Sequence, residues 1–232
     1  MITLKHGQTT ATIDPHGAWV ERLSHGGGEV FFPKTAIEYE DDAKSRGGLH
    51  PCVPNFGPGG DSGLPQHGYG RISNWTIDTE SDRFVSLSLR GEGKYADLRS
   101  VVTYALGENS FTATLHVENT GTGVLRVARA FHPYFQLQPN EQTVSIESAS
   151  YDLSELAGTV FVPGESLTLQ TVQQRLLLDQ ESLDTWALWT DQRGDYVCIE
   201  PTLGGNRFLG DAQSDELLQP DQSRTFTFTI SW

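Results

Sequence analysis

The C-terminal run TFTFTISW, residues 225–232, alternates without a break. Phe226, Phe228, Ile230 and Trp232 fall on one side, and Thr225, Thr227, Thr229 and Ser231 on the other. A period of two marks a strand with one buried face, and no helix turning every 3.6 residues can bury such a pattern. The same alternation runs through RFVSLSLRG, LRSVVTYAL and SFTATLHVEN, while VLRVARAF and DYVCIE read as further strands. Turn signals (GEGK, GENS, ENTGTG, DQRGDY) separate these runs at hairpin spacing. Helical signal is confined to short pieces around residues 43–45 and 152–157, each enough for a turn or two. The chain is therefore expected to be all-β, a largely antiparallel sandwich. At 232 residues with no compositional break, one domain spanning 1–232 is expected.

Charge narrows the partners. A formal charge of −14 disfavours nucleic acid and anionic membrane surfaces, both of which demand a basic face. An anionic substrate would need local cations to overcome that field. Cys52 and Cys198 lie far apart and form no CxxC pair, so two reduced thiols are expected rather than a disulfide or a metal knuckle. No apolar run approaches the roughly 20 residues of a membrane span, and MITLKHGQTTATIDPHG lacks a signal-peptide core. A cytoplasmic location is the expectation.

The stretch RGGLHPCVPNFGPGGDSGLPQHGYGR, residues 46–71, concentrates glycine and proline around few polar side chains. A linker would not carry Phe56 and would not be pinned by Pro51, Pro54, Pro58 and Pro65, so an ordered loop bearing a site is expected. Its polar points are Arg46, His50, Gln66, His67 and Arg71. Guanidinium groups supply planar donor forks suited to carboxylate, phosphate or vicinal hydroxyls.

Three further segments carry candidate chemistry. In ARAFHPYFQL, strand alternation puts Ala128, Ala130 and His132 on one face, with room beside the alanines for a ligand and Tyr134 and Phe135 as flat apolar surface. In DYVCIEPTLGGNRF, Tyr196, Cys198 and Glu200 share one face, and Val197 and Ile199 the other. In SLDTWALW, the tryptophans Trp186 and Trp189 suit a core better than a sugar platform. Each residue alone has an ordinary structural reading, as a core histidine, a strand-end carboxylate or a salt-bridged arginine. There is no GxSxG, Walker loop or HExxH, and the H-x-H pair of a small metallo-β-barrel is missing, so no metal site is expected.

Taken together these segments resemble the aldose 1-epimerase (mutarotase) superfamily, in particular its hexose-6-phosphate 1-epimerase-like branch. That branch's pattern R-G-G-[IL]-x-x-x-x-P-x-F-G, then L-P-Q-H-G-[FY]-[AG]-R, stands here as Arg46-Gly47-Gly48 to Pro54-Asn55-Phe56-Gly57, then Leu64-Pro65-Gln66-His67-Gly68-Tyr69-Gly70-Arg71, with Trp75 following. FHPYFQL is similar to the family's H-[PT]-Y-F element, and CIEP to the strand bearing its catalytic glutamate. The resemblance implies a β-supersandwich and cofactor-free exchange of α and β anomers of a sugar or sugar phosphate, with Glu200 as general base and His132 as general acid. It implies substrate contacts from Arg46, Gln66, His67 and Arg71. A carboxylate and an imidazolium on opposite sides of the anomeric carbon would open the ring and close it with roles reversed. The alternative on the same fold is a non-catalytic carbohydrate-binding protein. The family's acidic sugar-binding residue between the histidine and the glutamate has no matching context, leaving Asp184 or Asp152 to supply it, and His50 is unassigned.

Overall fold

A computed structural model describes residues 1–40 and 42–232. Two nine-stranded sheets dominate it, and every named strand pair is antiparallel. The first sheet runs Ile2–His6, Thr9–Asp14, Trp19–His25, Leu49–Cys52, Ala130–Gln136, Tyr196–Thr202, Thr185–Trp189, Val160–Pro163, with Gly28–Glu29 paired to the third of these. The second contains the strands that alternate most regularly, Phe84–Arg90, Leu98–Leu106, Ser110–Asn119 and Ser223–Ser231, side by side.

The period-two pattern and the burial agree residue by residue. Phe226, Phe228 and Ile230 are buried between half-exposed or exposed Thr225, Thr227, Thr229 and Ser231, and Trp232 is half-buried. The inward faces of both sheets merge into one apolar cluster. Phe228 of the second sheet meets Phe131 and Trp186 of the first, with ring centroids 6.3 and 6.1 Å apart. This is face-to-face sheet packing with aromatic interdigitation.

Three departures from expectation follow from backbone pairing. Residues 43–45 are not helical: Ala43–Arg46 pairs with Thr35–Glu38 as a two-stranded ribbon outside the main sheets, in register Thr35↔Arg46 to Glu38↔Ala43. The ribbon's ladder supplies partners that a single helical turn could not. Residues 153–158 do form a short 3₁₀ helix, started by an Asp152–Glu155 capping box. Within the glycine- and proline-rich stretch, Leu49–Cys52 is a central strand of the first sheet rather than loop. VLRVARAF is likewise broken, with Leu125–Arg126 pairing elsewhere before the strand Ala130–Gln136 begins. Among the described residues no helix is long and apolar enough to cross a membrane, and both cysteines are free and buried.

The consequence for function lies in the middle of the first sheet. Its three central strands come from the first, second and last thirds of the chain, and each buries both faces. Phe131, Phe135, Val197 and Ile199 point into the inter-sheet core, so their neighbours in sequence must point the other way.

Candidate functional site

That opposite face forms the floor of a cleft of about 670 Å³. Antiparallel register arranges the floor in rows. His50 pairs with His132 across one strand boundary. On the other side, the pairs Ala130↔Thr202 and Tyr134↔Cys198 bracket the position at which His132 faces Glu200. Ala187 follows Glu200 on the next strand. One row therefore reads His50, His132, Glu200, Ala187. A second reads Cys52, Ala130, Thr202, and a third Tyr134, Cys198, Trp189. Ala130, expected from sequence to leave room for a ligand, instead packs with Ala187 against Cys52 and Phe56 beside the polar row.

His132 Nε2 and Glu200 Oε2 are 3.3 Å apart with both side chains about 95% buried or more. They meet side by side on one floor, not across a gap. Their contact is close without being an aligned hydrogen bond, and His132 Nδ1 and Glu200 Oε2 have no hydrogen-bond partner. Unpartnered buried polar atoms aimed into a cleft are costly unless a ligand completes them. Burial pushes Glu200 well above the usual carboxylate range. Burial, reinforced by His67, His50, Arg71 and Arg46, pushes His132 well below the usual imidazole value. A dry environment thus favours the pair with one proton, held on the carboxyl, over the separated charges.

The loop residues close around this floor. Gly47 and Gly48 turn the chain into the His50 strand. Gly48 has φ +66°, and a Cβ there would sit 2.1 Å from the Val20 carbonyl oxygen, so only glycine fits. The Trp19 indole N–H donates to the Gly47 carbonyl at 2.9 Å. Buried Asn55 donates to the carbonyls of Gly57 and Pro65 at 2.9 and 3.2 Å, which draws the two ends of the loop together. His67 lies at φ +62°, held by its backbone N–H to Gly57 O at 2.8 Å. Its Nδ1 accepts from Gly57 N–H at 3.3 Å. In neutral imidazole that leaves Nε2–H as the donor, and the Gln66 amide, whose nitrogen lies 3.3 Å away, has to turn its oxygen toward Nε2 to accept from it. Burial, with Arg71 and Arg46 adding to it, lowers His67 to about 3, so it is a neutral donor at physiological pH. The His67 ring lies 4.9 Å from that of His132, and the Tyr134 ring stacks on His132 at 4.6 Å.

All six residues singled out from sequence, Arg46, Gln66, His67, Arg71, His132 and Glu200, line the same cleft. Lys34 and Lys44 line it too, so four cations face Asp42 and Glu200 in a strongly acidic chain. Lys34 is bonded to Glu21 at 2.9 Å, and Arg46 to Asp191 at 3.0 Å. Arg71 and Lys44 make no ion pair among the described residues.

Asp184 and Asp152 do not supply the missing acid. Asp184 pairs with Arg207 at 2.6 Å and accepts from Gly204 N–H, and Asp152 caps its 3₁₀ helix. Asp191, read from sequence as part of a turn, is the acid beside the site. Its Oδ2 accepts from Arg46 and the Tyr39 hydroxyl, and its Oδ1 from the Tyr196 hydroxyl and Arg193 N–H. With both oxygens occupied it positions Arg46 rather than offering an acceptor to a sugar. An acid two residues before Arg193 was the available signal. The tryptophans divide: Trp186 is fully buried in the core, and Trp189 lines the cleft. His50 is fully buried, 5.0 Å from the His132 ring and 4.4 Å from that of Trp19.

Comparison with known proteins points the same way. The aldose 1-epimerase family profile matches residues 1–191. Two curated bacterial relatives, each named provisionally as a glucose-6-phosphate 1-epimerase, align over part of the chain. That of Escherichia coli K12 is 25% identical over 146 residues, 59% of this chain and 48% of its own length. That of Salmonella typhimurium LT2 is 26% identical over 147 residues, with the same shares. The chain thus matches about half the length of these relatives. Among solved structures, a galactose mutarotase-like protein from Lactobacillus casei superposes with a TM-score of 0.81 at 15% identity, over 100% of this chain and 99% of that one. An aldose epimerase homologue from C. elegans gives a TM-score of 0.75 at 16% identity, over 99% and 97%. At such identities the likeness is one of fold, a galactose mutarotase-like sandwich.

Proposed function

The chain belongs to the aldose 1-epimerase family, and on that premise we propose that it interconverts the α and β anomers of a hexose phosphate without a cofactor. The observation that carries the reading is the His132–Glu200 contact at 3.3 Å on the floor of a cleft whose walls hold Arg46, Arg71, Lys34 and Lys44.

Mutarotation moves one proton off the C1 hydroxyl and delivers another to the ring oxygen. The C1–O5 bond breaks, C1–C2 rotates, and closure on the other face reverses both transfers. Both reacting oxygens are bonded to C1, so an acid and a base lying side by side can reach them from one floor. In the reacting state Glu200 takes the hydroxyl proton and His132 gives its own to the ring oxygen. The pair needs one proton in total, the occupancy burial favours. Moving it from Glu200 to His132 creates the working charges, which sugar hydroxyls and the neutral His67 donor solvate as they displace water. Arg46, Gln66, His67 and Arg71 hold the sugar, with Arg71 and Lys44, which make no ion pair among the described residues, supplying charge for a phosphate.

The test is anomer exchange of glucose 6-phosphate, glucose and galactose, measured side by side by saturation-transfer NMR. Wild-type protein is expected to accelerate exchange, most for the phosphorylated sugar. Glu200→Gln and His132→Ala are each expected to slow it about 10²–10⁴-fold with unchanged circular dichroism. Undiminished exchange in both variants sinks the assignment. Sugar binding without any acceleration in wild type would favour a carbohydrate-binding protein on this fold.

A further inference from the structure

The acid–base pair has a third neighbour that the reaction does not use. Cys198 lies two residues before Glu200 on the same strand and face, diagonally across from His132. One ligand atom from each of His132, Cys198 and Glu200 lies within 4.8 Å of the others, and all three residues are buried. We propose that these three side chains form a binding site for a single thiophilic divalent cation of the zinc class, and that its occupancy shuts off the acid–base pair.

The donor set fits that class. Imidazole nitrogen, thiolate sulfur and carboxylate oxygen are the three ligand types zinc takes, whereas magnesium and calcium require oxygen. On a tetrahedral ion with metal–ligand bonds near 2.0–2.2 Å, a nitrogen and an oxygen sit about 3.3–3.5 Å apart. His132 Nε2 and Glu200 Oε2 already stand at 3.3 Å. Glu200 Oε2 is buried with no hydrogen-bond partner and needs no prior bond broken. Cys198 and the Glu200 carboxyl would each lose a proton to solvent, two protons released per ion bound, and the Cys198 sulfur would move into the third position. A doubly charged ion between one thiolate, one carboxylate and neutral imidazole gives a neutral assembly, which a dry floor tolerates far better than either anion alone. Arg46 and Arg71 line the same cleft and oppose any cation there. The two anionic ligands offset them only when both are engaged, so the thiolate is the ligand on which affinity depends.

The chain holds one other thiol, Cys52, buried beside His50, with Sγ 3.9 Å from His50 Nδ1. It is the internal control. The experiment titrates the purified protein with cadmium(II), whose bond to thiolate gives an ultraviolet charge-transfer band, and follows stoichiometry by calorimetry. One equivalent per chain is expected, with the band retained in Cys52→Ser and affinity at least a hundredfold weaker in Cys198→Ser. Circular dichroism confirms that both variants fold, and Glu200→Gln, which keeps the thiol, should weaken binding as well. Absence of a band in wild type, or a band that survives Cys198→Ser and disappears in Cys52→Ser, overturns the site. The inhibitory half rests on the catalytic reading above and is separable from the site itself. Anomer exchange should stop as the band saturates. A saturated band with unchanged exchange leaves the metal site standing and moves the reaction elsewhere.

Discussion

His50, His67 and His132 sit within 6.1 Å of one another, ring to ring, and burial lowers all three below the usual imidazole value. Glu200 is shifted the other way, upward, by burial. Between about pH 4.5 and 6.5 the unfolded chain would take up three imidazole protons where the folded chain takes up none. The folded chain keeps one carboxyl proton that the unfolded chain releases. On balance the unfolded state binds more protons than the folded one at these four groups, and their contribution to stability falls as pH falls. Urea denaturation at successive pH values checks this. His50→Gln should flatten the slope of stability against pH, and an unchanged slope would show that His50 titrates normally when folded. Catalysis should follow the same shifts. Its acid limb is expected well below pH 6.5, since His132 and His67 resist a second proton. An inflection at the ordinary imidazole value would contradict the burial reading.

Among the elements, the ribbon formed by Thr35–Glu38 and Ala43–Arg46 has the clearest duty. Asp42, Ala43, Lys44, Ser45 and Arg46 line the cleft, and Asp191 ties the ribbon to the sheet through Tyr39 and Arg46. Replacing Asp191 by Asn removes the charge that holds both. The expected result is a KM raised about tenfold or more with kcat changed less, because in the proposed reaction Arg46 holds substrate and moves no proton. A fall confined to kcat would instead put Asp191 in the proton path. The turn into the His50 strand is a second test. Gly48→Ala places a methyl 2.1 Å from the Val20 carbonyl oxygen at positive φ and should cost about 1–3 kcal/mol of stability, read from chemical denaturation. The regularly alternating strands were visible as alternation, and the 3₁₀ turn as a short helical signal around residues 152–157, whereas the strand Leu49–Cys52 was hidden in a stretch that reads as loop. The ribbon was hidden because a two-stranded element lying off the main sheets buries no face and leaves no period in the sequence.

At the scale of the whole molecule two fields compete for an anionic sugar. A charge of −14 at about 20 Å, screened over about 8 Å, repels a phosphate dianion by about 0.5 kcal/mol. Two cations about 5 Å from it, such as Arg71 and Lys44 of the cleft, attract by about 2 kcal/mol even at the dielectric constant of water. The cleft wins. Accordingly kcat/KM for glucose 6-phosphate should fall as sodium chloride is raised and stay flat for glucose. A rise with salt would mean that the global charge governs the encounter.

What the sequence determined by itself was whatever repeats locally. Alternation dictated an antiparallel sandwich, the turn residues its hairpins, and the spacing of two in AFHPYF and VCIEP told which side chains shared a face. His132 and Glu200 could be named because each sits on a short stretch whose pattern resembles a family's. Their pairing could not, since the register between strands 68 residues apart depends on how both pack into the sheet. The same register put His50 beside His132 and Cys198 diagonally across from His132, and the loop's folding placed Asp191 behind Arg46. These are cross-strand and cross-loop relations, set by tertiary packing and carried by no local pattern.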